Sequence, residues 1–185
     1  MRPIAPLGIV PWDYNDIYDQ LRLTADLVGK QAEAEDWIQA YEGKVRNVRR
    51  AVASYFGRTE TIAAIRFVQG QLRVYGARNM GHELYRSLGL TPPDRIRSQL
   101  KNATFVWEAI TAEQLPDYAS ADRLFLLTFT NDVEFVKQVE ESSLWKNLPA
   151  VKNGRVYTIP EEIWFTYDPL SIDRQLDDAI SLLSK

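Results

Sequence analysis

Apolar residues recur every third or fourth position up to about residue 56, alternate with polar ones from 61 to 75, and then switch between the two periods to the end of the chain. Ile17, Leu21, Thr24 and Val28 share one helical face, with Gly29 as its terminator. Ala34, Ile38, Tyr41, Val45, Val48, Val52 and Tyr55 predict a single helix over 31–56, roughly 39 Å long at 1.5 Å per residue. Gly43 inside it costs about 1 kcal/mol relative to alanine, so tertiary packing must hold its middle. Residues 61–68 and 71–75 read as two strands about a Gln69-Gly70 turn. Asn79 is placed to cap a helix running to Ser87, with Met80 and Leu84 inward, and Pro92-Pro93 marks a loop. A strand at 104–107, a short helix at 111–115, a buried strand at 123–129 and a helix at 133–141 follow. Asn153-Gly154 turns into a strand at 156–159, then comes an aromatic loop with Trp164, Phe165 and Tyr167. Ile172, Leu176, Ile180 and Leu183 close the chain at helical spacing. This order predicts an α/β fold with a mixed or parallel sheet, helices on both faces, and a ligand beyond the carboxyl ends of the strands. The apolar run 4–10, broken by prolines, reads as an edge strand or an extended lead-in.

A chain of 185 residues forms one domain, or one with an appendage. No stretch approaches the ~18 unbroken apolar residues of a membrane span. The net charge of -3 argues against a nucleic-acid surface, although the arginines crowd before residue 100 and would make one face basic, suited to an anionic small ligand. The absence of cysteine excludes disulfides, thiolate metal sites and cysteine nucleophiles. No basic start followed by an apolar stretch precedes Ile4, so no secretory leader is read there. His82 has no Cys, Asp or second His at metal-ligand spacing and reads as a partly exposed structural histidine, leaving no metal site. The stretch from Gly76 to Gly81 lacks both the P-loop lysine and the dinucleotide spacing. No nucleophile, paired catalytic carboxylates or cofactor fingerprint can be assembled, so no catalytic residue is named and an enzyme is not expected.

Several segments, in order, carry a resemblance. IAPLGIVPW, YDQLRLTADLVGKQAEAEDWIQAYEGKV, IRF with VYGARNMGHELYRSLGLTPP, ITAEQLPDYASADRLFLL and LWKNLPAVKNGRVYTIP resemble the C-terminal half of the iron-siderophore and cobalamin class of periplasmic substrate-binding proteins (class III). RNMG after VYGA also resembles the sensor domains of AraC-type regulators. The resemblance implies a three-layer Rossmann-like lobe preceded by a long interdomain spanning helix. Residues 1–30 would then be the remnant of the N-lobe exit, 31–57 the spanning helix and 58–185 the C-terminal ligand-binding lobe, with the N-terminal lobe as a missing partner.

The function implied is non-catalytic binding of a ferric siderophore for an ABC importer, in an extracytoplasmic lipoprotein. The alternative is a cytoplasmic siderophore-sensing domain of an AraC-type regulator, itself making no nucleic-acid contact. No cofactor is expected, because iron arrives already saturated by the siderophore's oxygens. The protein then needs guanidiniums to neutralise the complex and aromatic faces to stack on it. Arg66, a charge near the end of an apolar strand, is the first candidate. Arg73 and Tyr75 share a face of the next strand, and Arg78 and Asn79 lie in the loop after it. Trp164 and Tyr167 fall where this family puts aromatics against its ligand, and Trp107 follows a short strand. Glu113 matches a glutamate that in this family meets the permease. Thr111 and Gln114 around it also form a capping box, and an acid there suits the helix dipole.

Overall fold

The computed structural model describes residues 8–10, 16–57, 59–101, 105–128 and 133–184, and the chain divides into two compact units between Arg46 and Asn47. Most of the predicted opening strand, with Arg58, Thr104 and Phe129, lies outside the described residues. In the first unit, α1 (Ile17–Val28) opens on the Asp16 carboxylate, which accepts from the N–H groups of Tyr18 and Asp19, and ends at Gly29 with φ 70°. α2 (Gln31–Ala53) crosses the division. Within the first unit Ile17, Ala25, Ala34, Ile38 and Tyr41 are buried, and the Trp37 ring stacks on Tyr41 at 5.1 Å. α2 stops three residues short of the predicted end. The N–H groups of Ser54 and Tyr55 turn back to the carbonyls of Ala51 and Val52, and the Ser54 hydroxyl also donates to Ala51 at 2.6 Å, which tightens and ends the last turn.

The second unit is built on a five-stranded sheet, in the order β3-β2-β1-β4-β5. β1 (Ile62–Val68) is buried throughout, and a two-residue loop with Gln69 at φ 50° and Gly70 at φ 70° returns it as β2 (Gln71–Tyr75). Both positive φ values suit the tight hairpin that its strand twist requires. A π-helical segment His82–Ser87, α3 (Asp94–Gln99), β3 (Trp107–Ile110), a 3-10 turn and α4 (Leu115–Ala119) follow. Then come β4 (Arg123–Thr128), α5 (Val133–Glu141), α6 (Ser143–Lys146), α7 (Pro149–Lys152), β5 (Val156–Ile159), α8 (Glu161–Trp164) and α9 (Pro169–Leu183). β4 and β5 run parallel to β1, whereas β2 is antiparallel to both β1 and β3. The edge strand expected at 104–107 is displaced to Trp107–Ile110, because it takes its register from β2, Tyr75 facing Trp107 and Leu72 facing Ile110.

Period-two alternation splits the sheet into two faces. Ala63, Ile65, Phe67, Leu72, Val74, Leu124 and Leu126 pack against Ile96, Leu115, Tyr118, Val139, Trp145 and Leu148. The opposite face carries Ala64, Arg66, Arg73, Tyr75, Trp107 and Phe125. Part of it is covered by α8 and α9, where Trp164 packs edge-on to Phe125 and the Leu183 carbonyl accepts from Arg123. The result is a three-layer α/β lobe with a mixed sheet.

The loop from β2 into the π-helical segment is held by close backbone approach. A Cβ on Gly81 would lie 1.8 Å from the Gly76 carbonyl oxygen, and one on Gly76 would lie 2.5 Å from that of Phe105. Gly81→Ala is therefore expected to lower unfolding stability by about 2 kcal/mol, measured by urea denaturation, because a rigid backbone atom must move to admit the methyl group.

Candidate ligand-binding face

Hairpin register puts Arg66 directly opposite Arg73, and Tyr75 opposite Trp107, on adjacent rungs of one sheet face. The Arg66 guanidinium lies 4.2 Å from the centre of the Phe165 ring, and its Nη1 donates to the Tyr75 hydroxyl at 3.2 Å. Arg73 lies 4.3 Å over the Trp107 ring. Two guanidiniums are thus each backed by an aromatic face, which fixes planar donors without neutralising them. Arg78 stands 5.9 Å from the Tyr167 ring, and Tyr167 shares a hydrogen bond of 3.1 Å with His82 Nδ1.

Asn79 does not cap the following helix. It adopts φ 49°, and its side-chain amide donates to the Phe165 carbonyl at 2.6 Å, so it holds the segment that carries Phe165 over Arg66. Backbone strain of this kind is sustained only where the surroundings enforce it. His82 is buried rather than partly exposed, and its Nε2 lies 3.7 Å from the Glu83 carboxylate, itself wholly buried. Phe165 was not singled out in the sequence, yet it is 39% exposed and touches the first-named arginine.

Seven of the eight predicted ligand residues, Arg66, Arg73, Tyr75, Arg78, Asn79, Trp107 and Tyr167, fall in this network of contacts through Phe165 and the β1–β2–β3 register. Their accessibility differs: Arg66 is 6% and Arg78 7% exposed, whereas Trp107 is 45% exposed. The eighth, Trp164, is set apart. Instead of an aromatic loop the chain forms the single turn of α8, which sends Trp164 into the core at 0% exposure, its Nε1 donating to Asp178 at 2.6 Å. The cluster also lies on the sheet face rather than beyond the carboxyl ends of the strands. β2 runs against its neighbours and delivers the loop 76–81 to their amino-terminal edge.

The expectation of one broad basic face narrows in the same way. Arg49 donates to the carbonyls of Arg86 and Ser87, Arg95 to the Tyr118 hydroxyl, and Arg97 pairs with Asp94, so these side chains are spent on local structure. Among the described residues no three His, Asp or Glu side chains converge as a metal site would need. Glu113 is exposed in the turn before α4, where the predicted capping box of Thr111 and Gln114 forms. A hydrogen bond from the Thr111 hydroxyl holds the Glu113 carboxyl below its ordinary value.

Residues 2–163 match the sequence profile of a family described as periplasmic binding protein. The chain belongs to that family. The iron(3+)-hydroxamate-binding protein FhuD of Bacillus subtilis is 31% identical to it over 188 residues, covering 100% of this chain and 58% of the relative. The HTH-type transcriptional activator Btr of the same organism is 24% identical over 162 residues, covering 87% of this chain and 29% of the activator. Among solved structures, a FhuD-fold periplasmic binding protein component of a Fep/Fec-like ferrichrome ABC transporter from Bacillus subtilis aligns with a TM-score of 0.82 at 30% identity. That alignment covers 98% of this chain and 69% of the other. The chain spans 59% and 58% of the length of two iron(3+)-hydroxamate-binding relatives.

Proposed function

We propose that this chain is the C-terminal lobe of a substrate-binding protein that binds a ferric siderophore without transforming it and presents it to an ABC permease. The observation that carries the reading is the pair of aromatic-backed guanidiniums, Arg66 on Phe165 and Arg73 on Trp107, on one face of a lobe of this family. Iron reaches that face as a finished complex, so the lobe supplies donors and stacking surface and no iron ligand. The wall opposite comes from an N-terminal lobe, and Glu113 meets the permease. The full-length protein works outside the cytoplasm as an anchored lipoprotein.

The test is a fluorescence titration with ferric siderophores, Trp107 being an exposed indole beside Arg73. Saturable quenching is expected. Arg66→Met and Phe165→Ala should each weaken binding by about tenfold, the loss of one desolvated cation–π or charge-assisted contact. Unchanged affinity in both variants would remove this face from the site.

The likeness to Btr supports a second reading, a sensor domain fused to a helix-turn-helix segment in the cytoplasm. The gene discriminates the two: a lipid-anchoring leader upstream means import, and a DNA-binding segment in the same reading frame means regulation.

A further inference from the structure

We infer that a cleft at the amino ends of β4 and β5 binds a phosphate-sized oxyanion, at a site distinct from the siderophore face. Tyr55, Arg123, Asn153, Arg155, Tyr157 and Ser184 line it, and its volume is about 490 Å³. None of these residues belongs to the siderophore face.

Two parallel strands bring the basic residues together. β4 and β5 start at the same edge of the sheet, in a register that sets Phe125 beside Tyr157. The Asn153-Gly154 turn, with Gly154 at φ 64°, delivers Arg155 to that edge, and the Leu124 N–H donates to the Arg155 carbonyl at 3.0 Å. Arg123 precedes Phe125 by two positions and Arg155 precedes Tyr157 by two, so these side chains leave from one face. Arg123 is level with Ile62, and Arg66 lies four residues farther along β1, about 13 Å at the usual rise of a strand. The cleft and the siderophore face thus stand at separate ends of the strands.

Arg123 Nη2 lies 3.3 Å from Glu60 Oε2, and Arg155 Nη1 pairs with Glu60 Oε1. Glu60 is the one acid that pairs with either guanidinium among the described residues, and no residue lining the cleft carries a carboxylate. The Glu60 carboxyl is held below its ordinary value and arginine stays protonated, so two positive charges face one negative at neutral pH. The carboxyl end of α9 adds about half a negative charge, and its Leu183 carbonyl already accepts from Arg123. Hydrogen-bond donors accompany the excess charge. The Tyr157 hydroxyl accepts from Arg123 Nη1 at 3.1 Å, which leaves its own O–H to donate. The Arg155 side chain is 43% exposed and uses Nη1 on Glu60, so its Nε and Nη2 can serve a ligand. The buried Arg123 Nε–H meets no acceptor among the described residues, an unmet donor of a kind rarely kept in a native core.

A tetrahedral oxyanion matches this set, with several acceptor oxygens for the guanidiniums and the phenol and a charge opposite to the excess. A cation meets repulsion, and a neutral solute gains no Coulomb attraction. Free phosphate and the phosphoryl group of a larger molecule share this chemistry. Isothermal titration calorimetry with inorganic phosphate and with glycerol 3-phosphate, at constant ionic strength, distinguishes them. Saturable one-site binding is expected, with a Kd on the order of 1 mM because the site is partly exposed. Arg155→Gln should weaken it about fivefold or more and Tyr157→Phe about threefold, whereas Arg155→Lys should retain most of the affinity. Ferric siderophore affinity in Arg155→Gln should match the parent. Binding of phosphate shows the free anion to be sufficient, and binding of the ester alone assigns the cleft to the phosphoryl group of a larger molecule. No saturable binding of either would overturn the site and leave the siderophore reading standing. Binding that neither Arg155→Gln nor Tyr157→Phe weakens would also overturn it, because the anion would then sit elsewhere.

Discussion

Trp164→Ala is expected to lower unfolding free energy by about 4 kcal/mol, read from urea denaturation, the usual scale for deleting a large buried aromatic. Trp164 is fully buried, stands edge-on to Phe125 at a centroid distance of 5.1 Å, and donates from Nε1 to Asp178. Truncation removes the packing, leaves a cavity and strips Asp178 of its donor. Trp164→Phe keeps most of the volume and should cost only about 1–2 kcal/mol, mainly the lost hydrogen bond. Siderophore affinity in Trp164→Phe should match the parent. A tenfold loss there would return Trp164 to the binding face.

A loss of about 3 kcal/mol is expected for Arg123→Met, again by urea denaturation. Arg123 is almost completely buried, and its guanidinium serves four acceptors from distant parts of the chain: the Tyr157 hydroxyl, the carbonyls of Leu183 and Tyr55, and the Glu60 carboxylate. The Phe56 ring lies beneath it at 4.2 Å. One side chain thus ties the amino end of β4 to β5, to the end of α9 and to the residues after α2. Methionine fills the volume but leaves those carbonyls without a charged donor. Burial pushes the Glu60 carboxyl up, but the Gly57 N–H and the guanidiniums of Arg155 and Arg123 outweigh it and hold the carboxyl below its ordinary value. Folding therefore lowers this group, so its stabilisation is complete above the unfolded carboxylate range and fades as pH falls through the lowered value. The acid limb of the stability profile should be shallower in Arg123→Met than in the parent.

Local chemistry that needs only near neighbours was legible in advance. The alternating run into Gln69-Gly70 and out again is the β1–β2 hairpin, and Thr111 with Gln114 is the capping box. Ile172, Leu176 and Leu183 are the buried stripe of α9. Arg73 and Tyr75 share a face because strand side chains alternate, and the hairpin register then brings Arg66 opposite Arg73. Trp164 and Phe165 defeated the same reasoning. In a loop the direction of adjacent aromatics is open, and a single helical turn rotates neighbours by about 100°, so one enters the core and the other meets Arg66. Asn79 had a plausible local role as a cap, yet its amide found a carbonyl 86 positions away.

By itself the sequence determined the alternation of helices and strands, the acidic net charge, the lack of thiol chemistry and the set of arginines from which the face is drawn. Those properties depend on composition and on periods of two and 3.6 residues. Tertiary structure alone decided which arginines converge, that Arg123 is a buried clamp, and which of two adjacent aromatics can be reached by a ligand. Each of these depends on partners far apart in the chain, and the free energy of a buried charge or ring is set by those partners rather than by its neighbours in sequence.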